Sequence, residues 1–417
     1  MRALKPEPRV VGFTAVGALG LVVGLAVSEP AAVALGAAFL LPVVYGLAAP
    51  RPVLPASHVE LSQDRLVEGD AVDVQLELAA EAPIDWLEVQ LRVPARARVL
   101  EGTSGRVLGL RVGEVRSLRY RVECPRWGVY PVGAVQLVGL QRACMVRSSA
   151  ERDSTRPVRV YPRSERLRRL LEPLVTRLAS GSRPAAASGE GIEFAEIREF
   201  RSGERVRRIN WRASARRGQL LVSDRLPERS SEVVLFLDSL TAAASEHGST
   251  LDQAVRAVAS LVGEYLRGRD RVGLLNFGGD LEWVLPSTGE RQHYRIVDAV
   301  LSSETARLFR WRDPRLIPTR VLPPQSLVVA LTPLLDWRVD RALLNLRARG
   351  FDLTLIEVDP LPFVERARAS YDDQAWRVWL LERELIRNRF LRAGVPVRRW
   401  TAETPLAAVV EELTSNR

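Results

Sequence analysis

Two uncharged apolar stretches near the amino-terminal end, Val10 to Val27 and Ala31 to Ala49, constrain this chain more than any other feature. They hold eighteen and nineteen residues and are separated only by Ser28, Glu29 and Pro30. At about 1.5 Å rise per residue each makes a helix of roughly 27–29 Å, close to the ~30 Å hydrocarbon thickness of a bilayer. The pair reads as a transmembrane helical hairpin. Cations flank its outer ends, Arg2, Lys5 and Arg9 before it and Arg51 after it, whereas the turn carries only Glu29. The positive-inside bias then puts both ends and the soluble remainder in the cytoplasm. A cleaved signal peptide ending near Ala26, Val27 and Ser28 is the competing reading. It is weakened by the length of the first stretch and by the second span that follows at once. Gly20 and Gly24 have the small-xxx-small spacing of close helix contacts, but both stretches are rich in Gly and Ala, and the spacing is given no role.

At 417 residues the chain is too long for one core, so several domains are expected. With 47% hydrophobic and 26% charged residues, it is neither a wholly disordered chain nor a collagen-like repeat nor a polytopic carrier. Behind a proline-spaced connector (Pro50, Pro52, Pro55), period-two alternation runs through Val72 to Leu78, Leu87 to Val93 and Leu118 to Cys124. Turn signals at Gly69, Gly102 to Gly105 and Trp127-Gly128 separate these runs, and no helix-period segment intervenes. That pattern predicts an antiparallel β-sandwich. From residue 231 onward, continuous apolar runs (Val233 to Leu237, Leu327 to Leu331, Leu353 to Val358) alternate with helical faces such as Leu251, Val255, Val258, Val262 and Tyr265. Uninterrupted apolar strands between helices predict a doubly wound α/β domain on a parallel sheet. The expected fold is therefore multidomain. It comprises a transmembrane hairpin (residues 1–50), an antiparallel β-sandwich (51–161), a linker with an arginine-rich segment (162–230) and a doubly wound α/β domain (231–417).

The net charge of +10 is carried almost wholly by arginine, since Lys5 is the only lysine. Codon bias and a membrane-proximal positive bias account for this without a phosphate ligand. Ten arginines lie between Glu190 and Arg229, interleaved with seven acids, which argues for arginine–carboxylate pairing rather than a cationic groove for nucleic acid. Cys124 and Cys144 lack a CxxC or a nearby histidine pair, so buried thiols are expected rather than a zinc site. His58, His247 and His293 are scattered, and Asp372-Asp373 reads as a solvated polar loop. No GxxxxGK[ST] loop, GxGxxG turn, GxSxG elbow or HExxH helix occurs. The expectation is that the protein is not an enzyme.

The most distinctive stretch contains Arg198-Glu199-Phe200, Gly203-Glu204, Arg208-Ile209-Asn210-Trp211 and Ser214-Ala215-Arg216. It resembles the signature of the bacterial domain-of-unknown-function family 58, usually written REYxxGDxxRxIxWxxSAR, departing at Phe200 and Glu204. Arg126-Trp127-Gly128-Val129-Tyr130 resembles that family's RxGxY segment, but Leu140 to Cys144 stands where a DPFGL-like stretch is usual. The resemblance implies a membrane-anchored protein whose α/β domain is von Willebrand factor A-like and whose partner is a MoxR-type AAA+ ATPase. Arg198, Glu199, Gly203, Glu204, Arg208, Asn210, Trp211, Ser214 and Arg216 are accordingly the candidate partner-binding or structural residues. Trp211 is expected to be buried, clamping this segment to the α/β domain.

A von Willebrand factor A-like domain can hold Mg²⁺ or a similar cation through a DxSxS run completed by a distant threonine and aspartate. Here the run starts at Asp238, but its serine positions are Leu240 and Ala242. A degenerate site involving Asp238, Thr241 and Asp336 is expected, with Asp238 capping the following helix or accepting backbone N–H bonds, and with no resident cofactor. The functional expectation is a cytoplasmic scaffold or adaptor tethered to the lipid bilayer. A hydrolytic or metal-dependent enzyme working at the carboxyl edge of the sheet is the alternative.

Overall fold

The computed structural model describes residues 2–6, 8–48, 53–140, 146–173, 194–201, 209–225, 231–246, 248–279, 281–303, 317, 322–324, 326–364, 372–401 and 403–415. Gly203, Glu204, Arg208, His247 and Cys144 lie outside the described residues. The chain divides into two compact units, Met1–Pro162 and Arg163–Arg417.

The first unit opens with a short strand, β1 (Arg2–Pro6), and two apolar helices, α1 (Pro8–Val27) and α2 (Pro30–Ala48). Of these, Arg9–Val27 is long and apolar enough to cross a membrane, and Pro30–Gly46 forms a shorter apolar helix. The two helices pack closely because their contact is lined with glycine. A Cβ added at Gly20 would lie 2.8 Å from the Gly36 Cα, and one at Gly36 would lie 2.7 Å from the Leu21 backbone nitrogen. Gly20 and Gly24, whose spacing alone assigns them no role, are thus contact positions: a Cβ at Gly24 would meet Val33 at 2.7 Å. Phe13 and Phe39 meet edge to face with centroids 5.6 Å apart. Val11, Leu19, Val22, Leu25, Leu35 and Leu41 face outward.

Two sheets follow. Their strands are β2 (Ala56–Leu61), β3 (Arg65–Val67), β4 (Ala71–Ala79), β5 (Ile84–Arg92), β6 (Arg98–Glu101), β7 (Gly105–Leu110), β8 (Val115–Glu123), β9 (Gly128–Leu140) and β10 (Val146–Tyr161). One sheet is ordered β1-β10-β9-β5-β7 and the other β2-β4-β8-β6. The alternation read from the sequence becomes one shared core, with Val72, Val74 and Leu76 of β4, Leu87, Val89 and Leu91 of β5, and Val135 and Leu137 of β9 all buried. Each such side chain contributes about 1.5–3 kcal/mol on burial. Pairing is antiparallel except where β3 runs parallel to β10. Cys124 is buried in this core, and burial pushes its thiol up to about 11.

In the second unit, residues 163–173 are tied to the helix Thr250–Arg267: Glu165 N–H donates to Ser260 Oγ at 2.8 Å, and Tyr265 Oη donates to the Leu171 carbonyl at 2.9 Å. A hairpin of β11 (Phe194–Glu199) and β12 (Leu221–Arg225) encloses the short helix α3 (Trp211–Arg217). Then β13 (Glu232–Asp238), a small β14/β15 ribbon (Ala244–Ser245 and Gly248–Ser249), α4 (Thr250–Arg267), β16 (Arg271–Phe277), β17 (Leu281–Ser287), α5 (Glu290–Ser302), β18 (Leu327–Thr332), α6 (Trp337–Ala348), β19 (Asp352–Val358), α7 (Asp372–Arg392), β20 (Val397–Trp400) and α8 (Leu406–Ser415) alternate along the chain. The sheet order is β17-β16-β13-β18-β19-β20. It is a mixed sheet: β17 pairs antiparallel with β16, correcting the all-parallel expectation. As an edge strand β17 has exposed Trp283 and Leu285, and its weak alternation left it unmarked in the sequence. Asp372 and Asp373, read as a polar loop, instead open α7.

Candidate functional site

Strand order reverses beside β13: the chain passes outward to β16 on one side and returns to β18 on the other. Loops diverge at such a switch point and leave a crevice at the carboxyl ends of the strands. Asp238 ends β13 and Thr332 ends β18, and both are buried. Thr332 Oγ1 donates to Asp238 Oδ2 at 2.6 Å, and the Leu240 N–H donates to Asp238 Oδ1 at 3.1 Å. Burial dominates these bonds and pushes the Asp238 carboxyl up to about 7.

Asp336 caps the start of α6. Its Oδ1 accepts from the backbone N–H of Arg338 and from Arg338 Nε, both at 2.9 Å, and Oδ2 accepts from Arg338 Nη2 at 2.5 Å. The guanidinium holds this carboxylate below the usual range although burial opposes it. Thr241 Oγ1 makes a long contact to Asp336 Oδ2, 3.4 Å, while Ser239 Oγ donates to Asn276 Oδ1 at 2.6 Å. Asp340, one turn into α6, is pushed up to about 6, chiefly by burial, and its Oδ1 has no hydrogen-bond partner among the described residues.

The structure therefore brings Asp238, Thr241 and Asp336 to one sheet edge, but the donor set fits a hard cation poorly. Both Asp238 oxygens are engaged, the side chains at 240 and 242 are apolar, and Arg338 takes the counter-ion position at Asp336. Among the described residues no three His, Cys, Asp or Glu side chains converge as metal ligands.

A second buried ion group holds the rim of this edge. Arg383 of α7 pairs with Glu357 of β19 and donates to the carbonyl of Pro333 at 2.9 Å. Its guanidinium lies 5.2 Å from the Trp379 ring centre. The loop it grips includes Leu334, which has a positive φ of 52°. Burial raises the Glu357 carboxyl, and Arg383 offsets part of that rise. Sequence reading missed Thr332, Arg338, Glu357 and Arg383. The only signal was a charged residue at the end of an apolar run, as at Glu357-Val358-Asp359.

The signature segment builds a separate, compact platform. Asn210 Oδ1 accepts from the Ala213 N–H at 3.0 Å and caps α3, while the Asn210 N–H donates to the Leu221 carbonyl at 2.8 Å. Ser214 is buried, donates to the Asn210 carbonyl at 2.8 Å and accepts from the Leu221 N–H at 2.9 Å. Gly218 closes the helix in the left-handed conformation, φ 71°, which a Cβ would strain. Asn210 and Ser214 thus have structural roles, Arg198 and Glu199 lie on β11, and Arg216 is exposed on α3.

The expectation for Trp211 is overturned. It occupies the first position of α3 and is 62% exposed, with Ile197 and Leu220 also exposed on this unit. The cap turns the chain so that Ile209, not Trp211, faces the hairpin, where it bridges to Val222. A single aromatic in a charged stretch gives no period from which to read its direction.

Comparison with known proteins follows the same segment. The uncharacterized protein YeaD of Bacillus subtilis (strain 168) is 28% identical over 116 residues, 28% of this chain and 27% of that protein. The chain thus matches about a quarter of that relative's length. Among solved structures, the cupredoxin domain of amoB from Nitrosocaldus yellowstonii aligns at 12% identity over 27% of this chain and 90% of its own, with a TM-score of 0.21. The C-terminal domain of wzt aligns at 12% identity over 26% of this chain and 72% of its own, with a TM-score of 0.19. Scores of that size carry no argument about fold or function. Residues 196–349, from the signature hairpin to the end of α6, match the family described as "Protein of unknown function DUF58", the family that the signature residues resemble.

Proposed function

We propose that this protein is a non-enzymatic adaptor, anchored by two membrane spans, whose soluble units lie in the cytoplasm and dock a MoxR-type AAA+ ATPase. In this reading the two sheets of the first unit are the antiparallel sandwich, and the second unit is a von Willebrand factor A-like domain working without a resident metal or other cofactor. The strand order β17-β16-β13-β18-β19-β20 with one antiparallel edge strand supports that assignment. The ion pair of Arg338 with Asp336 supports the absence of a metal. The observation that carries the proposal is Trp211. A capped, doubly hydrogen-bonded turn holds a large aromatic side chain out to solvent, and exposed tryptophans on rigid elements are the usual anchors of protein interfaces. Arg212, Arg216 and Arg217 border it and favour an acidic partner surface.

The test is Trp211→Ala in the full chain. The expected result is an unchanged melting curve together with loss of ATPase co-purification from membranes. A lowered melting temperature with retained capture would overturn the reading.

A second reading, a hydrolytic or metal-dependent enzyme, rests on the Asp238 carboxyl near 7, the range of a general acid or base. Against it stand the two hydrogen bonds that occupy its oxygens. Titration calorimetry with Mg²⁺ and Mn²⁺ separates the two. The adaptor requires no binding tighter than millimolar, whereas micromolar binding abolished by Asp238→Ala would favour the enzyme.

A further inference from the structure

Helix α7 packs one face into the second unit and leaves the opposite face bare. Arg383 and Phe390 are buried, and Trp376, Trp379, Leu380, Ile386 and Arg387 are half-buried. On the other side Val378, Leu381 and Leu385 are 55%, 60% and 67% exposed. At about 100° per residue these three lie within an arc of roughly 60°. Their spacing of three then four is that of a and d positions in a heptad. With Val378 at a, Leu381 is d, Leu385 is the next a and Asn388 the next d. Arg377 and Glu384 then occupy g, Glu382 and Arg389 occupy e, and all four are exposed.

We infer that this face is a dimer seam, and that its occupant is α7 of a second copy of this chain lying parallel and in register. The charges carry the choice. In a parallel pair each g residue faces the e residue five positions on in the other helix. Arg377 then meets Glu382 of the second copy, and Glu384 meets Arg389 of the second copy. Two-fold symmetry repeats both, so four opposite-charge contacts border one apolar seam.

The antiparallel alternative that best matches the apolar residues sets Leu381 against Leu385. It brings Glu382 against Glu382 and Glu384 against Glu384, and both contacts repel. In the parallel register Asn388 faces Asn388, a polar pair that favours this alignment, because a shift of one heptad would set it against Leu381. Gln374 and Arg392 close the seam at its two ends. Two heptads make a weak seam by themselves, so self-association is reversible and depends on concentration.

Leu385→Cys tests this in the full chain, because a seam position places the two thiols within the ~7 Å Cα separation that a disulfide can bridge. Leu391→Cys is the control. Leu391 is also exposed on the same helix, 49% against 67% for Leu385, but about 120° away from it. The expected result on mild oxidation in membranes is a covalent dimer from Leu385→Cys at roughly tenfold the yield of Leu391→Cys. Adding Arg377→Glu should reduce that yield severalfold, and adding Glu382→Arg to it should restore the yield. Equal yields at the two positions, or no rescue by the charge swap, would overturn the inference. Quenching of a fluorophore on the Leu385→Cys thiol by nitroxide-bearing lipids, without cross-linking, would overturn it in favour of a membrane-facing helix.

Discussion

Asp238→Asn is the substitution with the most clearly signed outcome. The carboxyl sits near 7 in the folded chain against an ordinary value of 3.8, so between those limits the folded state holds a proton that the unfolded state releases. Its stabilising contribution is therefore complete below about pH 4 and declines as pH rises through 7. At about 1.4 kcal/mol per pH unit, the loss by pH 8 is on the order of 4 kcal/mol. Asparagine mimics the protonated acid: its carbonyl can accept from the Leu240 N–H, and its amide can donate to Thr332 Oγ1, the two groups that now hold the carboxyl. The variant should match the parent near pH 4 and exceed it near pH 8. For a unit of this size, 4 kcal/mol corresponds to roughly 8–16 °C in melting temperature. Thermal melts of the full chain in detergent between pH 4 and 8 measure it directly. Asp340, pushed up to about 6, contributes in the same direction and leaves a residual slope in both proteins. Parallel curves, with the variant no more stable at pH 8, would mean that Asp238 is ionised in the folded state and would refute the burial argument.

Ser214→Ala removes one donated and one accepted hydrogen bond at a buried position and should cost about 1–3 kcal/mol in the same melts. Gly36→Leu drives a side chain into the backbone of α1, so the disulfide yield of a Phe13→Cys, Phe39→Cys pair should fall severalfold. Reporter fusions after Val27 and after Arg417 should register opposite compartments, and an external carboxyl terminus would refute the topology.

The sheets were legible where burial is one-sided or total. Val72 to Leu78 and Leu87 to Val93 alternate because one face meets the core, and Val233 to Leu237 is continuous because both faces do. β17 was not legible, since an edge strand with exposed Trp283 lacks both patterns. At the candidate site, Asp238 and Asp336 were readable from their places after apolar runs. Arg338 and Arg383 were not, because in a chain whose cations are nearly all arginine no single arginine stands out until the fold sets it beside its carboxylate. Trp211 shows the opposite failure: its residue type suggested burial, whereas the hydrogen bonds of Asn210 and Ser214 turned it outward.

On the proposed function, the signature segment presents Trp211 to a partner. A photo-crosslinking amino acid in place of Trp211, in the full chain in native membranes, reads out that contact. The expected result is a covalent adduct with an AAA+ ATPase subunit that is absent when the same group replaces Trp283, which is exposed on β17 of the same unit. Adducts confined to this chain itself, or to lipid, would contradict it.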